Sequence, residues 1–90
     1  MKFIVKWTIP KASVLATEQR FLKGGGAPPA GVTMIGRWHG MSGGGVLIAE
    51  TDDAKALYTW LGSWNDLLEF ETTPCVEDAD AGAVLASLQR

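Results

Sequence analysis

The stretch Gly31–Glu50, GVTMIGRWHGMSGGGVLIAE, decides how the rest of the chain is read. Two runs rich in β-branched and aromatic residues flank a glycine cluster, which is the pattern of a β-hairpin. The chain's single histidine, His39, lies in the first arm between Trp38 and Gly40. Placing Ser42–Gly45 at the turn sets Met41 opposite Val46, His39 opposite Ile48 and Arg37 opposite Glu50. In the same register Trp38 lies opposite Ala49 and Gly40 opposite Leu47. One face then carries Arg37, His39 and Glu50 among Ile35, Met41, Val46 and Ile48, and the other carries Met34, Trp38, Leu47 and Ala49 with two glycines. Both faces are substantially apolar, whereas a hairpin with one face in water is polar on that side. Each face needs a cover: helices of the same chain on one side, and a second copy of the protein on the other.

The flanking sequence supplies those helices. Lys2–Ile9 alternates, with Phe3, Val5, Trp7 and Ile9 on one side, and reads as a strand ended by Pro10. Ser13 is the expected N-cap of a helix running to about Lys23, with Val14, Leu15, Phe21 and Leu22 on its apolar side. Gly24–Gly31, GGGAPPAG, is a loop; its glycines follow a helix rather than precede one and lack a lysine–serine ending, so they do not read as a phosphate cradle. After the hairpin, Thr51-Asp52 caps a second helix whose stripe is Ala54, Leu57, Tyr58 and Leu61, with a further turn through Trp64 to Leu67. A last strand places Phe70 and Thr72 on one face and Glu69, Glu71 and Thr73 on the other, with Pro74 at a sheet edge. Glu77–Arg90 reads as a terminal helix packing through Val84, Leu85 and Leu88.

The order strand, helix, strand, strand, helix, strand, helix is an α+β, ferredoxin-like βαββαβ pattern with an extra C-terminal helix. It implies an antiparallel sheet with both main helices on one face and the first and last strands side by side. Ninety residues make a single domain, residues 1–90, because two cores at this length would each bury too little surface. The composition, 47% hydrophobic and 20% charged with four tryptophans, is that of a folded protein. No apolar run approaches the roughly 18–20 residues of a membrane span, and the N-terminal apolar run is short and broken by lysines, unlike a signal peptide. The one cysteine, Cys75, excludes an internal disulfide and a multi-cysteine zinc site, and a cytoplasmic setting follows. Residues 1–49 carry six basic side chains against Glu18, a balance of +5, and residues 50–90 carry nine acids against Lys55 and Arg90, a balance of −7. The bases are spread singly, so nucleic acid is not an expected partner; Lys2 and Lys6 facing Glu69 and Glu71 across neighbouring strands account for the asymmetry.

KFIVKWTIP, GVTMIGRWHG and ETDDAKALYTWLGSWNDLLEFETTPCV together resemble a family of bacterial proteins of about this length known only as a domain of unknown function. The string Gly36-Arg37-Trp38-His39 and the spacing Trp64, Asp66, Phe70, Glu71, Pro74 carry the resemblance most specifically. It implies a dimeric α+β barrel in which two ferredoxin-like protomers pack sheet on sheet, and it implies no reaction. Proteins of that fold include cofactor-free monooxygenases and lactone isomerases, but a fold alone transfers no activity.

If the helix-free face lines a space between protomers, it presents Lys6, Arg37, His39, Glu50 and Glu71 among apolar side chains, the usual make-up of a small-molecule pocket. His39 is then the candidate acid–base group, Arg37 a candidate for an anionic group, and Trp64 or its neighbour Trp60 a candidate for a pocket mouth or a subunit contact. The plainer account pairs Arg37 with Glu50 and Lys6 with Glu71 at a dimer seam. Trp7 and Trp38 are expected in the core, the latter with room made by Gly36, Gly40 and Ala49. No metal, no cofactor and no Ser-His-Asp set is expected. The reading is a small dimeric protein that binds a small molecule or serves a structural role. The alternative is a cofactor-independent monooxygenase- or isomerase-like enzyme on a small apolar or aromatic substrate, with His39 as acid/base.

Overall fold

In the computed structural model, which describes residues 1–89, the elements follow the expected order. They are β1 (Lys2–Thr8), α1 (Val14–Gly24) after a short 3-10 turn at Lys11–Ser13, β2 (Thr33–Gly40), β3 (Gly44–Glu50), α2 (Ala54–Gly62), β4 (Glu69–Cys75) and α3 (Asp78–Ser87). The four strands form one antiparallel sheet in the order β2-β3-β1-β4. That is the ferredoxin-like arrangement, with β1 and β4 adjacent and Pro74 on an edge strand, where a missing donor is tolerated. The terminal helix read as reaching Arg90 is seen to Ser87, and Arg90 lies outside the described residues.

The hairpin forms in a different register. The turn is Met41–Gly43, closed by Gly43 at φ 88°, and the pairs are His39 with Gly45, Trp38 with Val46 and Arg37 with Leu47. His39 therefore pairs with Gly45 rather than Ile48, an odd displacement, and an odd slip sends every side chain to the opposite face. Gly44 and Gly45 belong to the strand and not to the turn because β1 lies close against them. A Cβ at Gly45 would collide with the Trp7 indole and the Trp38 carbonyl. A bulge between Met34 and Gly36 adds Ile35 to β2, so Met34 and the odd-numbered Arg37 and His39 share a face.

Two rows across the sheet result. His39, Gly45, Trp7 and Phe70 are aligned on the helix side; Trp38, Val46, Lys6 and Glu71 are aligned on the helix-free side. The core is Val5, Trp7, Leu47 and Ala49 from the sheet with Leu57 and Trp60 from α2, sealed by Val32 and Leu68. Trp38, expected there, is 59% exposed on the helix-free side, its indole folded over Gly36, where a Cβ would stand 2.5 Å from Cη2.

The helix faces also shift. The buried residue of α1 is Thr17, with Phe21 one turn on half-buried, while Leu15 and Leu22 point away from the core. Ser13 makes no side-chain cap. Asp53, and not Thr51-Asp52, caps α2 by accepting from the Ala56 N–H at 3.1 Å. The Thr51 hydroxyl instead donates to the Gly31 carbonyl at 2.7 Å, tying the loop before β2 to the end of β3. Trp60 takes the core place expected of Tyr58, which is exposed. Val84, Leu85 and Leu88 of α3 are 54%, 60% and 62% exposed, so this helix does not pack on its own chain as expected. Lys2 reaches the residue that precedes it, Nζ lying 3.1 Å from Glu77 and 3.2 Å from Glu50; those two carboxylates hold the ammonium's pKa above its ordinary value.

Candidate functional site

Between the helix side of the sheet and the two helices lies a cavity of about 170 Å³. Its walls are aromatic: Trp7 and Phe70 from the sheet, Phe21 from α1, Trp60 from α2, Trp64 from the turn that follows, and His39 from β2. The sequence produces this space by a local rule. Gly45 has no side chain, so the Trp7 indole lies over it and reaches the next strand, where its ring meets the His39 imidazole edge-on at 5.5 Å and 75°. Phe21 meets the same imidazole at 5.3 Å and 70° from the helix side. Edge-to-face pairs at this spacing are the favoured geometry for rings carrying a quadrupole. The histidine is held between two rings while remaining exposed at the rim.

Two arginines fix the frame. Arg37 donates from Nη1 to the Gly26 carbonyl at 2.8 Å and from Nη2 to the Gly25 carbonyl at 2.9 Å, and its guanidinium lies 5.1 Å from the Phe21 ring centre. It thereby binds the carbonyls just past the end of α1, where Gly25 adopts the left-handed cap conformation at φ 71°. Arg20 makes a two-pronged pair with Asp66 at 2.8 and 2.7 Å, donates to the Ser63 carbonyl at 3.2 Å, and lies 5.5 Å from the Trp64 ring centre. This clasp joins α1 to the turn carrying Trp64. It holds the Asp66 carboxyl below its usual pKa and the Arg20 guanidinium above its own, each through the shared hydrogen bonds. The deepest polar atom is the Thr17 hydroxyl, which is buried with no hydrogen-bond partner.

Of the residues singled out from sequence, the structure brings His39, Arg37 and Trp64 to this cavity. Lys6, Glu50 and Glu71 lie on the opposite side of the sheet, Lys6 aligned with Glu71. The five-residue grouping on the helix-free face therefore does not form, and neither does the Arg37–Glu50 pair: Glu50 meets Lys2, and Arg37 turns to the loop. The cause is the register. Trp38, expected in the core, stands exposed on that helix-free face.

Thr17, Phe21 and the Arg20–Asp66 clasp were not legible as site residues, whereas Trp60, which the sequence left beside Trp64 as a candidate for a pocket mouth, does line the cavity. Only the spacing around Trp64 and Asp66 hinted at them. Among the described residues no group of three or more His, Cys, Asp or Glu side chains comes together as a metal-binding cluster, and no helix is long and apolar enough to cross a membrane. No curated protein matches the chain. The family model described as a domain of unknown function, DUF3303, matches residues 1–89, and the chain belongs to that family.

Proposed function

We propose that this protein binds a small, largely apolar molecule inside each protomer, in the cavity between the sheet, α1 and α2, and that it works as a homodimer packed through the helix-free sheet faces. The observation that carries the binding reading is the cavity itself. The space, about 170 Å³, opens to solvent at its rim, so a small molecule can enter and cover aromatic surface that water otherwise meets. Apolar walls with a few polar groups at the edge, here His39, Arg37 and Glu18, are how small-molecule sites are made. The dimer is supported by the exposed Trp38 and the half-buried Ile4, Val46 and Ile48 sharing the helix-free sheet face. The cytoplasmic setting is likewise an inference, from the free thiol of Cys75, and the bacterial source rests on the resemblance alone.

The test is a thermal-shift and tryptophan-fluorescence titration with single-ring aromatic and lactone-like compounds. A compound present at ten times its Kd stabilises by about 1.4 kcal/mol, which moves the midpoint by roughly 6–11 °C in a domain this small. Filling the cavity with Leu61→Trp removes the shift; a wild type that answers to none of the compounds overturns the reading.

A second reading, a cofactor-independent enzyme with His39 as acid/base, is favoured by one observation. The imidazole is held edge-on by two cavity rings yet open at the rim, where a proton can be exchanged with solvent. On that reading His39→Gln keeps the thermal shift and loses turnover of the bound compound. Equal turnover in the two proteins removes His39 from the chemistry.

A further inference from the structure

One residue of the cavity wall, Thr17, narrows the ligand class. We propose that the site takes a neutral single-ring aromatic alcohol, of the phenol class, with the Thr17 hydroxyl hydrogen-bonded to the ligand's own hydroxyl. The proposal rests on the reading of the cavity as a ligand site and adds to it a size, a charge and a polar anchor.

Size comes first. An apolar cavity of about 150 Å³ accommodates benzene, so about 170 Å³ has room for one six-membered ring with a small substituent. The walls set the rest of the skeleton: Trp7, Phe21, Trp60, Trp64 and Phe70 present rings to a ring. Charge is decided at the rim. The two formally charged lining residues are Glu18, which is exposed, and Arg37, whose Nη atoms donate to the carbonyls of Gly25 and Gly26. No ion pair waits inside for a carboxylate or an ammonium, and an unpaired charge in such surroundings is strongly disfavoured.

Thr17 supplies the anchor. It is 7% exposed, it is the buried residue of α1, and its Oγ1 is the one buried side-chain polar atom without a partner among the described residues. A helical threonine ordinarily satisfies its hydroxyl by donating to a carbonyl one turn back; this one does not. Valine would fill the same volume with no hydroxyl to satisfy. A third of a turn about χ1 carries the hydroxyl to another staggered position, and threonine in helices populates two such wells, so the group can be presented to a ligand on the cavity wall without moving the helix. A hydroxyl that both donates and accepts matches a phenolic hydroxyl, which does the same.

The experiment compares phenol with toluene, which differ by a hydroxyl in place of a methyl, on the wild type and on Thr17→Val, with Kd read by tryptophan fluorescence. The expected result is a phenol-to-toluene preference that falls about tenfold in Thr17→Val, with the variant at least as stable as the wild type to heat. Thr17→Ser, which keeps the hydroxyl, retains the preference and secures the comparison if the valine variant folds poorly. A preference identical in wild type and Thr17→Val overturns the anchor while leaving the cavity a binding site. Failure of both compounds to bind the wild type overturns the site and the anchor together.

Discussion

Gly45 shows how much one missing side chain controls. Trp7 lies where its Cβ would be, and the Trp38 carbonyl closes the other side, so neither flexible relaxation nor a rotamer change makes room. Gly45→Ala is expected to destabilise the fold by about 2–3 kcal/mol, the range of an overpacked core. It should also push Trp7 off His39, seen as a lower urea midpoint at unchanged slope and an altered near-ultraviolet tryptophan signal. A variant as stable as the wild type would mean the close contact does not hold the ring. The same residue explains what the sequence concealed. In SGGG the glycines read as turn, because glycine is the usual turn residue; two of them are strand residues whose role is to be flat. Nothing local distinguishes these uses. Only the partner strand, bringing Trp7 to Gly45, decides, and with it the side of the sheet on which His39 and Arg37 stand.

At the scale of elements, strand and helix identities followed from periodicity and punctuation, but which helix face turned inward did not. In α1 the expected stripe was Val14, Leu15, Phe21 and Leu22; of these Phe21 faces the sheet, joined by Thr17, while Leu15 and Leu22 point away. The choice was made by polar contacts outside the stripe: Arg20 reaching Asp66 and Arg37 reaching the loop after α1 fix the rotation of the helix. The clasp has a testable pH signature. Asp66 has its pKa lowered in the folded protein by the Arg20 hydrogen bonds. A carboxyl with a depressed folded pKa adds stability above its unfolded value, near 3.8, and loses it as pH falls through the lower folded value. Urea midpoints of the wild type should therefore drop more steeply below about pH 4 than those of Asp66→Asn. The difference is modest because both partners are exposed. Parallel curves for the two proteins would show that the clasp contributes nothing beyond geometry.

At the scale of the whole molecule, the shape asks for a partner. The chain extends 52 × 29 × 18 Å, and α3 stands at its margin with Val84, Leu85 and Leu88 uncovered. On the helix-free face of the sheet the row Trp38, Val46, Lys6, Glu71 lies beside Gly36, Ile48, Ile4, Thr73, so an apolar patch on β2, β3 and β1 gives way to charge and hydroxyl toward β4. A stable interface of standard size buries about 800 Å² on each partner and is apolar at its centre with a polar rim. The face has that division, and its exposed tryptophan, Trp38 on the edge strand β2, is of the residue type most often decisive in such contacts. Light scattering at micromolar concentration should report a dimer. Trp38→Asp should weaken it by at least about thirtyfold in Kd, the effect of losing roughly 2 kcal/mol at a tryptophan contact. Because Trp38 stands on the side of the sheet away from the cavity, the same variant should keep its thermal response to a cavity ligand. Leu85→Asp with Leu88→Asp separates the two apolar surfaces: if it leaves the dimer intact while Trp38→Asp does not, the sheets alone form the seam. If α3 variants dissolve the dimer and Trp38→Asp leaves it whole, the sheet-on-sheet assignment is wrong and the helix is the joining element. A wild type that remains monomeric would show that both surfaces stay in water, and the requirement for a second copy would fall.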